Sequence, residues 1–182
     1  YFARLNGSLV GMEACATAHY WARELAGLGH EVRLLPAQYV KAFVRGNKND
    51  YNDALAIAEA VVRPQMRAVA VKTVAQQDVQ ALHRLRAQCV GSRTALCNQL
   101  RGLLGEYGVV LPQGVGTLRR HLPRLLEAAD SGLSDFFRRL LAQGYQRLCE
   151  LDAHVAAYTA EMLRHGRETE ACRRLQTIPG FG

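Results

Sequence analysis

Three acidic side chains, Glu13 and the pair Asp50 and Asp53, are the residues of this chain whose types and spacing could do chemistry. Glu13 follows a short apolar run at residues 8–12, which predicts a buried strand ending in a carboxylate. Asp50 and Asp53 stand at the start of a helical stretch, and their spacing points both to one face of the helix. Such carboxylates could hold two divalent cations, which activate the attacking oxygen and stabilise the leaving oxygen of a phosphodiester. This is nuclease or transposase chemistry.

The elements that must position these acids form a strand–helix–strand unit. We predict a strand at 8–12, a helix over 17–28 with Thr17 as its N-cap, and a second strand at 31–35. Two strands joined by a helix through short loops are typical of a parallel sheet covered by helices. Open sheets of this kind place their sites at the carboxyl ends of the strands, and Glu13 lies at such an end.

Each carboxylate also has a purely structural interpretation. Asp50 could be the N-cap of the following helix, with Asp53 returning a hydrogen bond and favouring the helix dipole. Glu13 could be an ordinary polar residue at a strand end. A basic loop at 45–49 leads directly into the Asp pair and favours the chemical interpretation. Lys48 in this loop could neutralise a scissile phosphate, and a solvated surface lysine is the alternative.

A histidine and the only tryptophan lie together on the first predicted helix. We expect Trp21 to pack against the sheet, as large aromatic side chains usually do. His19, near the start of the helix, could reach a substrate phosphate, and a surface or packed histidine is the more common alternative.

Beyond about residue 74 the pattern changes to long helices. We predict an extended segment at 66–71 and then helices at 75–107, 118–128, 134–164 and 168–177. Apolar residues of the first long helix recur with helical spacing and predict one seam, as in a helical hairpin or coiled coil: Val79, Leu82, Leu85, Cys89, Leu96, Leu100 and Leu103. The predicted fold class is therefore an α/β domain at 1–74 followed by an all-α region.

The net charge of +7 is unevenly distributed. Basic residues outnumber acids strongly between residues 63 and 101, where Asp78 is the only acid: Arg63, Arg67, Lys72, Arg84, Arg86, Arg93 and Arg101. Such a bias suits a phosphate backbone and would make binding strongly salt-dependent. A solvated helix face is the alternative.

Cysteine spacing and hydropathy exclude several classes of protein. The five cysteines form no C-x-x-C pair, which argues against a structural zinc site and indicates reduced, mostly buried thiols in the cytosol. No apolar run approaches the ~20 residues that span a bilayer, so we expect no membrane partner. The chain begins at Tyr1 rather than Met and stops within IPGFG at 178–182, as a fragment would. Backbone N–H groups of that segment could hold a phosphate.

Long stretches of the sequence resemble one known family. The string VGMEACATAHYWARELAGLGHEVRLLPAQYVKAFVRGNKNDYNDALAIAEAVVRPQMRAVAVK is similar to the DEDD transposases of bridge-RNA-guided insertion sequences, which are related to the Piv and MooV DNA invertases. The similarity continues through HRLRAQCVGSRTALCNQLRGLLGEYGVVLPQG and ends at LQTIPGFG. It therefore covers essentially the whole chain.

The resemblance implies an incomplete RNase H-like domain of the RuvC type at 1–74, a helical coiled-coil region at 75–176, and the start of a further transposase domain at 177–182. It implies that Glu13, Asp50 and Asp53 match the last three acids of an Asp-Glu-Asp-Asp set that binds Mg²⁺. The first Asp and a serine nucleophile would lie outside this chain. The same resemblance implies DNA and guide (bridge) RNA as partners, and self-association as a dimer or tetramer.

The function predicted in this way is that of a transposase or recombinase fragment that cleaves and exchanges DNA strands during transposition and is inactive by itself. Lys48, Arg84, Arg86 and Arg93 are the predicted nucleic-acid contacts. A non-catalytic nucleic-acid-binding and dimerisation remnant is the alternative. A plain metal-dependent nuclease or junction resolvase is a third hypothesis, against which the long Leu-rich helices and the IPGFG ending argue.

Overall fold

The computed structural model describes residues 1–47, 49–128 and 132–180. Two compact units divide the chain, Tyr1–Gln77 and Asp78–Gly182. All strands in the described ranges belong to the first unit, and the second is helical. The predicted change from an α/β pattern to an all-α pattern is thus seen in the order of the elements.

The first unit contains a small parallel sheet. Strand β1 spans Leu9–Glu13 and pairs with β2, Glu31–Leu35, in a register that places Glu13 opposite Leu35. Helix α1, Ala18–Gly27, connects the two strands, and Gly29 follows it with a left-handed φ of 90°. The predicted strand–helix–strand order is therefore confirmed.

The predicted extended segment at 66–71 is not a strand of the sheet and pairs with it at a single residue. Val69 N–H donates to the Leu34 carbonyl at 2.7 Å and forms one isolated antiparallel bridge. This bridge adds Val69 and Val71 to the apolar cluster on the Leu34 face of the sheet.

Helices cover both faces of the sheet because successive strand residues point to opposite sides. Leu34 packs with the α1 residues Ala18 and Ala22. Leu35 packs on the other side with a second cluster: Val40, Ala56, Ala60 and Val61. Three of these come from α3, Asp50–Val61, and Val40 ends the short helix α2, Ala37–Val40, before a 3₁₀ turn at Lys41–Phe43.

Gly11 in the middle of β1 allows α3 to approach the sheet closely. A Cβ at this position would lie 2.9 Å from Val61 Cβ and 3.0 Å from Ile57 Cγ2. Real Cβ atoms essentially never come so close, so a side chain at Gly11 would push the helix away. Glycine here therefore sets how closely the helix that carries Asp50 and Asp53 lies to the strand that ends in Glu13.

The prediction that Trp21 packs on the sheet was wrong, whereas Thr17 is the N-cap of α1 as predicted. Trp21 does not pack on the sheet: it is 52% exposed and makes an edge contact with Tyr20. The helix buries Ala18, Ala22 and Leu25 instead, and the two small alanines bring its backbone close to the strands. Thr17 occupies the N-cap position with a positive φ of 67°, but its side chain makes no capping hydrogen bond.

The described residues of the second unit form helices: α4, Val74–Gly105, whose first turn lies in the first unit; α5, Val115–Glu127; α6, Asp135–Glu168; and α7, Glu170–Gln176. Its core joins α4, α5 and α6 through Cys97, Leu100, Leu104, Leu118, Leu122, Leu133, Phe137, Leu141 and Leu148. Arg138 donates to the carbonyls of Leu125, Leu126 and Ala128, and it thereby caps the carboxyl end of α5.

The two long helices of this unit run antiparallel. Arg86 contacts Thr159, Arg93 contacts Asp152, and Leu100 fills the space beside Gly144. Each step of two turns along α4 therefore corresponds to a step back along α6.

The predicted apolar seam of α4 is found in part. Leu85 and Leu103 are 46% and 42% exposed, whereas Cys97 and Leu104 join Leu100 in the core. The other predicted seam residues are consistent with the prediction: Leu96 packs against the core, and Val79, Leu82 and Cys89 are half-buried. The prediction was wrong only at Leu85 and Leu103, because neighbouring stripes of this Leu-rich helix have similar spacing.

The five cysteines are free, and Cys97 is the buried one among them. The prediction of mostly buried thiols was therefore wrong: Cys15 and Cys149 are exposed, and Cys89 and Cys172 are half-buried. Within the described residues, no helix combines the length and apolar character needed to cross a membrane.

Candidate functional site

Glu13 ends β1 at the carboxyl edge of the sheet. The ladder continues for one residue, since Ala14 N–H donates to the Leu35 carbonyl at 2.8 Å, and the chain then turns through a Cys15 N–H bond to the Glu13 carbonyl. The Glu13 side chain is half-buried, and its carboxylate makes no hydrogen bond or ion pair in the part of the chain that the structure describes. It is thus held at the sheet edge by the backbone alone.

Asp50 and Asp53 lie in the first turn of α3, as predicted. Neither of them caps the helix. Asn49 is the N-cap, and its Oδ1 accepts from Asn52 N–H at 2.8 Å, so the alternative in which Asp50 caps the helix was wrong. Both carboxylates are without hydrogen bonds or ion pairs to any described residue, with Asp50 exposed and Asp53 half-buried.

Hydrogen bonds of asparagine side chains connect the loop before α3 to the helix, and these residues were not predicted from the sequence. Asn52 Nδ2 donates to the Asn47 carbonyl at 2.7 Å. Arg45 pairs with Glu59 at 3.7 Å rather than with the Asp pair. The strong N-cap preference of asparagine was the signal that could have identified Asn49. Lys48, the predicted phosphate contact, lies outside the described residues.

The three carboxylates offer the hard oxygen ligands that Mg²⁺ prefers. They lie on adjacent elements, because α3 rests on β1 at Gly11 through Ile57. Within residues 1–47, 49–128 and 132–180, however, no group of three or more His, Cys, Asp or Glu side chains is placed to hold a metal ion. The residues therefore have the ligand chemistry of a divalent-cation site, but the described structure does not bring all three together around one ion.

A basic cluster on the same unit joins α1 to the segment after Val71. Lys72 N–H donates to His19 Nδ1 at 3.2 Å, Lys72 Nζ lies 2.9 Å from His19 Nε2, and Arg23 donates to the Lys72 carbonyl at 2.7 Å. Desolvation, and then the charges of Lys72 and Arg23, lower the pKa of His19. His19 thus holds the chain after the sheet in place through its contacts with Lys72.

The three predicted arginine contacts of α4 have different surroundings. Arg93 Nη1 pairs with Asp152 at 3.0 Å, and Arg86 Nε donates to Thr159 Oγ1 at 2.8 Å. Arg84 is exposed and has no hydrogen bond or ion pair with the described residues. Among these three arginines, Arg84 therefore has the side chain that is free to meet a phosphate.

Asp152 lies in a compact charged cluster. Arg119 Nε approaches Asp152 Oδ2 at 3.4 Å, and the pair with Arg93 is mostly buried, with 15% of the Asp152 side chain and 25% of the Arg93 side chain exposed. Burial, followed by the Asp152 charge, raises the pKa of the neighbouring Cys97 thiol. This cluster lies between helices of the core and holds them together.

Comparison with known proteins gives consistent relatives. The family of DEDD transposases named for insertion sequence IS110, described as a transposase, matches residues 3–109. A probable family 20 transposase of Pseudomonas aeruginosa is 43% identical over 183 residues, which cover 100% of this chain and 54% of the relative. The transposase for insertion sequence element IS1111A of Coxiella burnetii is 44% identical over 180 residues, covering 99% of this chain and 50% of the relative.

A third relative, the transposase for insertion sequence element IS1328 of Yersinia enterocolitica, is 39% identical over 182 residues, covering 100% of this chain and 54% of the relative. The chain therefore spans about half the length of the curated relatives it matches. No solved structure matches the chain.

Proposed function

We propose, from the premise that this chain belongs to the family of DEDD transposases named for IS110, that its first unit provides carboxylates for DNA strand cleavage and exchange in the transposition of an insertion sequence. Two of the matched relatives are named as transposases of insertion sequence elements. As the chain spans about half of their length, the complete reaction would require further parts of a longer protein.

The observation that carries this proposal is the absence of partners around Glu13, Asp50 and Asp53 in the described residues. In a chain of net charge +7, carboxylates that serve stability are expected to find a cation. Glu31 pairs with Arg33 and Glu59 pairs with Arg45 in the same unit. Glu13 and Asp53 are half-buried and unpaired and Asp50 is exposed and unpaired, so all three carboxylates are available to bind an external cation.

Glu13, Asp50 and Asp53 would hold Mg²⁺, with a fourth acid from outside this chain completing the set. When bound, such ions neutralise phosphate charge and stabilise the oxygens that attack and leave in phosphodiester cleavage. The contribution of this chain is to hold Glu13 on a sheet edge and the Asp pair on a helix that Gly11 keeps close to that sheet.

The sheet itself supports an incomplete RNase H-like domain of the RuvC type at residues 1–74. Strand β1 pairs only with β2 within the described residues. Apolar side chains lie around its free side, where Tyr1, Leu5, Leu9 and Val62 line a common cavity and are all exposed. Further strands of a longer protein would cover this surface.

The helical unit would contribute the remaining functions. We assign DNA and guide RNA contacts to its Arg84, together with Lys48 of the first unit, and self-association as a dimer or tetramer to a coiled-coil use of the long helices at 75–176. The antiparallel packing of α4 and α6 supports this assignment, because it gives two long helices side by side. The residues 177–182 would begin the next domain, of which Phe181 and Gly182 lie outside the described residues.

The deciding experiment replaces Asp50 and Asp53 together by Asn in a protein of the relatives' length that carries this segment. We expect excision and insertion of the element to fall on the order of 10²-fold or more, because the variant loses metal-held charge stabilisation at the scissile phosphate. DNA and RNA affinity should remain within about twofold, and the fold should be unchanged.

Glu59→Gln is the matched control, since Glu59 lies on the same helix and pairs only with the exposed Arg45. This control should keep full activity. Retained transposition in the Asp pair variant would contradict the catalytic proposal and favour the alternative of a non-catalytic nucleic-acid-binding module.

A further inference from the structure

An open cleft of about 580 Å³ lies in the first unit, between α2 with its following 3₁₀ turn and the chain after α3. Its lining combines two arginines, two glutamines and two aromatic residues: Arg63, Arg67, Gln38, Gln65, Tyr39 and Phe43. None of its described lining residues is acidic. Neither the three carboxylates nor the arginines of α4 belong to this cleft, so it is a separate feature.

The aromatic residues of the cleft differ in their roles. Phe43 is half-buried and packs on the cluster around Leu35, so its ring is fixed by the core. Tyr39 is 52% exposed, and its hydroxyl has no partner within the described residues. An exposed ring beside a fixed ring offers a stacking surface to a planar group of a ligand.

The two guanidinium groups are available to an anion. Arg63 lies over the Phe43 ring, with its Cζ 6.0 Å from the ring centroid, and this contact holds it beside the cleft. Neither Arg63 nor Arg67 makes a side-chain hydrogen bond or ion pair with a described residue. Unpaired arginines next to an aromatic surface attract a ligand that is both anionic and planar.

We propose that this cleft binds an unpaired nucleotide of a single-stranded nucleic acid. The base stacks on Tyr39, while Arg63 and Arg67 contact the flanking phosphates. The amides of Gln38 and Gln65, which make no hydrogen bonds in the described structure, can donate to and accept from the base edge. This inference rests on the proposed function, because it supplies a strand contact for a protein that opens and exchanges nucleic-acid strands.

The shape and chemistry favour a single strand over a duplex. A base inside a duplex has both faces covered by its neighbours and cannot enter a concave cleft without leaving the stack. Stacking on aromatic rings combined with a basic surface is the usual way in which proteins hold single strands without reading their sequence. The cleft volume lies within the range of sites that enclose a group of this size.

The test measures binding of this chain to a fluorescent mixed-sequence oligonucleotide, prepared as single-stranded DNA, as single-stranded RNA and as duplex DNA. We expect Tyr39→Ala to weaken single-strand binding by about tenfold or more, with duplex binding changed by less than about twofold. Tyr39→Phe retains the ring and should restore wild-type affinity. The DNA and RNA arms show which kind of strand the cleft prefers.

The arginines provide a second, independent readout. Arg63→Gln combined with Arg67→Gln should reduce the slope of the logarithm of single-strand affinity against the logarithm of salt concentration by about 1.4, because two phosphate contacts are lost and fewer counterions are released. Tyr39→Ala should leave that slope unchanged. Both arginines are exposed, so these changes do not disturb the core.

Matched controls are Tyr20→Ala, which removes a tyrosine of 49% exposure on α1, and Arg4→Gln, which removes an exposed arginine outside the cleft. Unchanged single-strand affinity in both the Tyr39 and the arginine variants overturns the nucleotide cleft. If the Asp50 and Asp53 variant still abolishes transposition, the proposed function survives that result. A wild-type chain that binds neither single strands nor duplex also overturns the nucleotide cleft, and the proposed function is then decided separately by the Asp50 and Asp53 variant in the longer protein.

Discussion

Acidic residues in the two units of this chain have opposite surroundings. Asp152 in the helical unit is mostly buried, accepts a hydrogen bond from Arg93 and lies 3.4 Å from Arg119. Glu13 and Asp53 in the sheet unit are half-buried as well, but neither has a partner among the described residues. All three carboxylates are thus partly or mostly buried, but only Asp152 has a basic side chain beside it.

The difference separates a structural charge from one that is available for chemistry. A buried charge without compensation costs free energy, so it persists only where something outside the chain compensates it or where function requires it. Asp152 connects helices α4 and α6, whereas Glu13 ends β1 and Asp53 lies in the first turn of α3, and neither connects two elements. The following predictions test this contrast, beginning with the largest expected effect.

The first prediction compares the two kinds of carboxylate in stability. Asp152→Asn should lower the free energy of unfolding by about 1–3 kcal/mol, because Arg93 is left as a poorly compensated charge in the core. Glu13→Gln should change it by no more than about 0.5 kcal/mol. Urea unfolding followed by fluorescence of Trp21 for the first unit, and by helical circular dichroism for the chain, measures both effects. Equal losses in the two variants would remove the contrast.

The second prediction concerns the start of the helix that carries the Asp pair. Asn49→Ala should lower the free energy of unfolding by about 1 kcal/mol, since the Asn49 Oδ1 accepts a hydrogen bond from the Asn52 N–H. Asp50→Ala should lower the free energy of unfolding by only about a few tenths of a kcal/mol, because the variant loses only a favourable interaction with the helix dipole. Thermal denaturation of both variants ranks them. A larger loss for Asp50→Ala would restore the structural interpretation of Asp50.

The third prediction compares two arginines of one helix. Arg84→Gln should reduce the salt slope of duplex DNA binding by about 0.9, as expected for the loss of one phosphate contact. Arg93→Gln should leave the slope unchanged and lower stability, since its charge is already paired with Asp152. Filter-binding titrations at several salt concentrations distinguish them. A slope change in Arg93→Gln alone would show that the ion pair opens to bind DNA.

The smallest effect is a pH dependence from the basic cluster at His19. Its folded-state pKa lies below the ordinary value of 6.5, so the unfolded chain binds more protons in this range. Stability should therefore be fully present above pH 6.5 and decrease as the pH falls below it. His19→Gln should show a flatter dependence in urea midpoints measured from pH 7.5 down to about pH 5. Identical curves would exclude His19 as the cause.

Local patterns in the sequence identified most elements of the fold. The alternation in Glu31–Leu35, the glycine after α1 and the apolar spacing of the long helices predicted a strand, a helix end and the helices where the structure has them. These features depend on neighbours along the chain, so the sequence contains the information. The predicted carboxylates likewise fall at a strand end and in a first helical turn, as expected.

Features that depend on distant neighbours were predicted less well. Trp21 is exposed because Ala18 and Ala22 take the positions against Leu34, a choice that periodicity along α1 does not reveal. Cys97 and Leu104 of α4 are buried because α5 and α6 pack against them, and the spacing along α4 did not identify these two residues. The pairing of Arg93 with Asp152 joins residues far apart in the chain, and no spacing rule predicts it.

The sequence by itself determined the order of elements, the positions of the three acids and the family to which the chain belongs, because these follow from local residue preferences and from similarity along the chain. Only the tertiary structure decided which charges are paired. Pairing depends on which side chains the packed helices bring within a few ångströms. For this reason Arg93 and Asp152 are paired, whereas Arg84 and Glu13 have no partner among the described residues. The cleft between Tyr39 and Arg63 arose in the same way, from segments that meet only after folding.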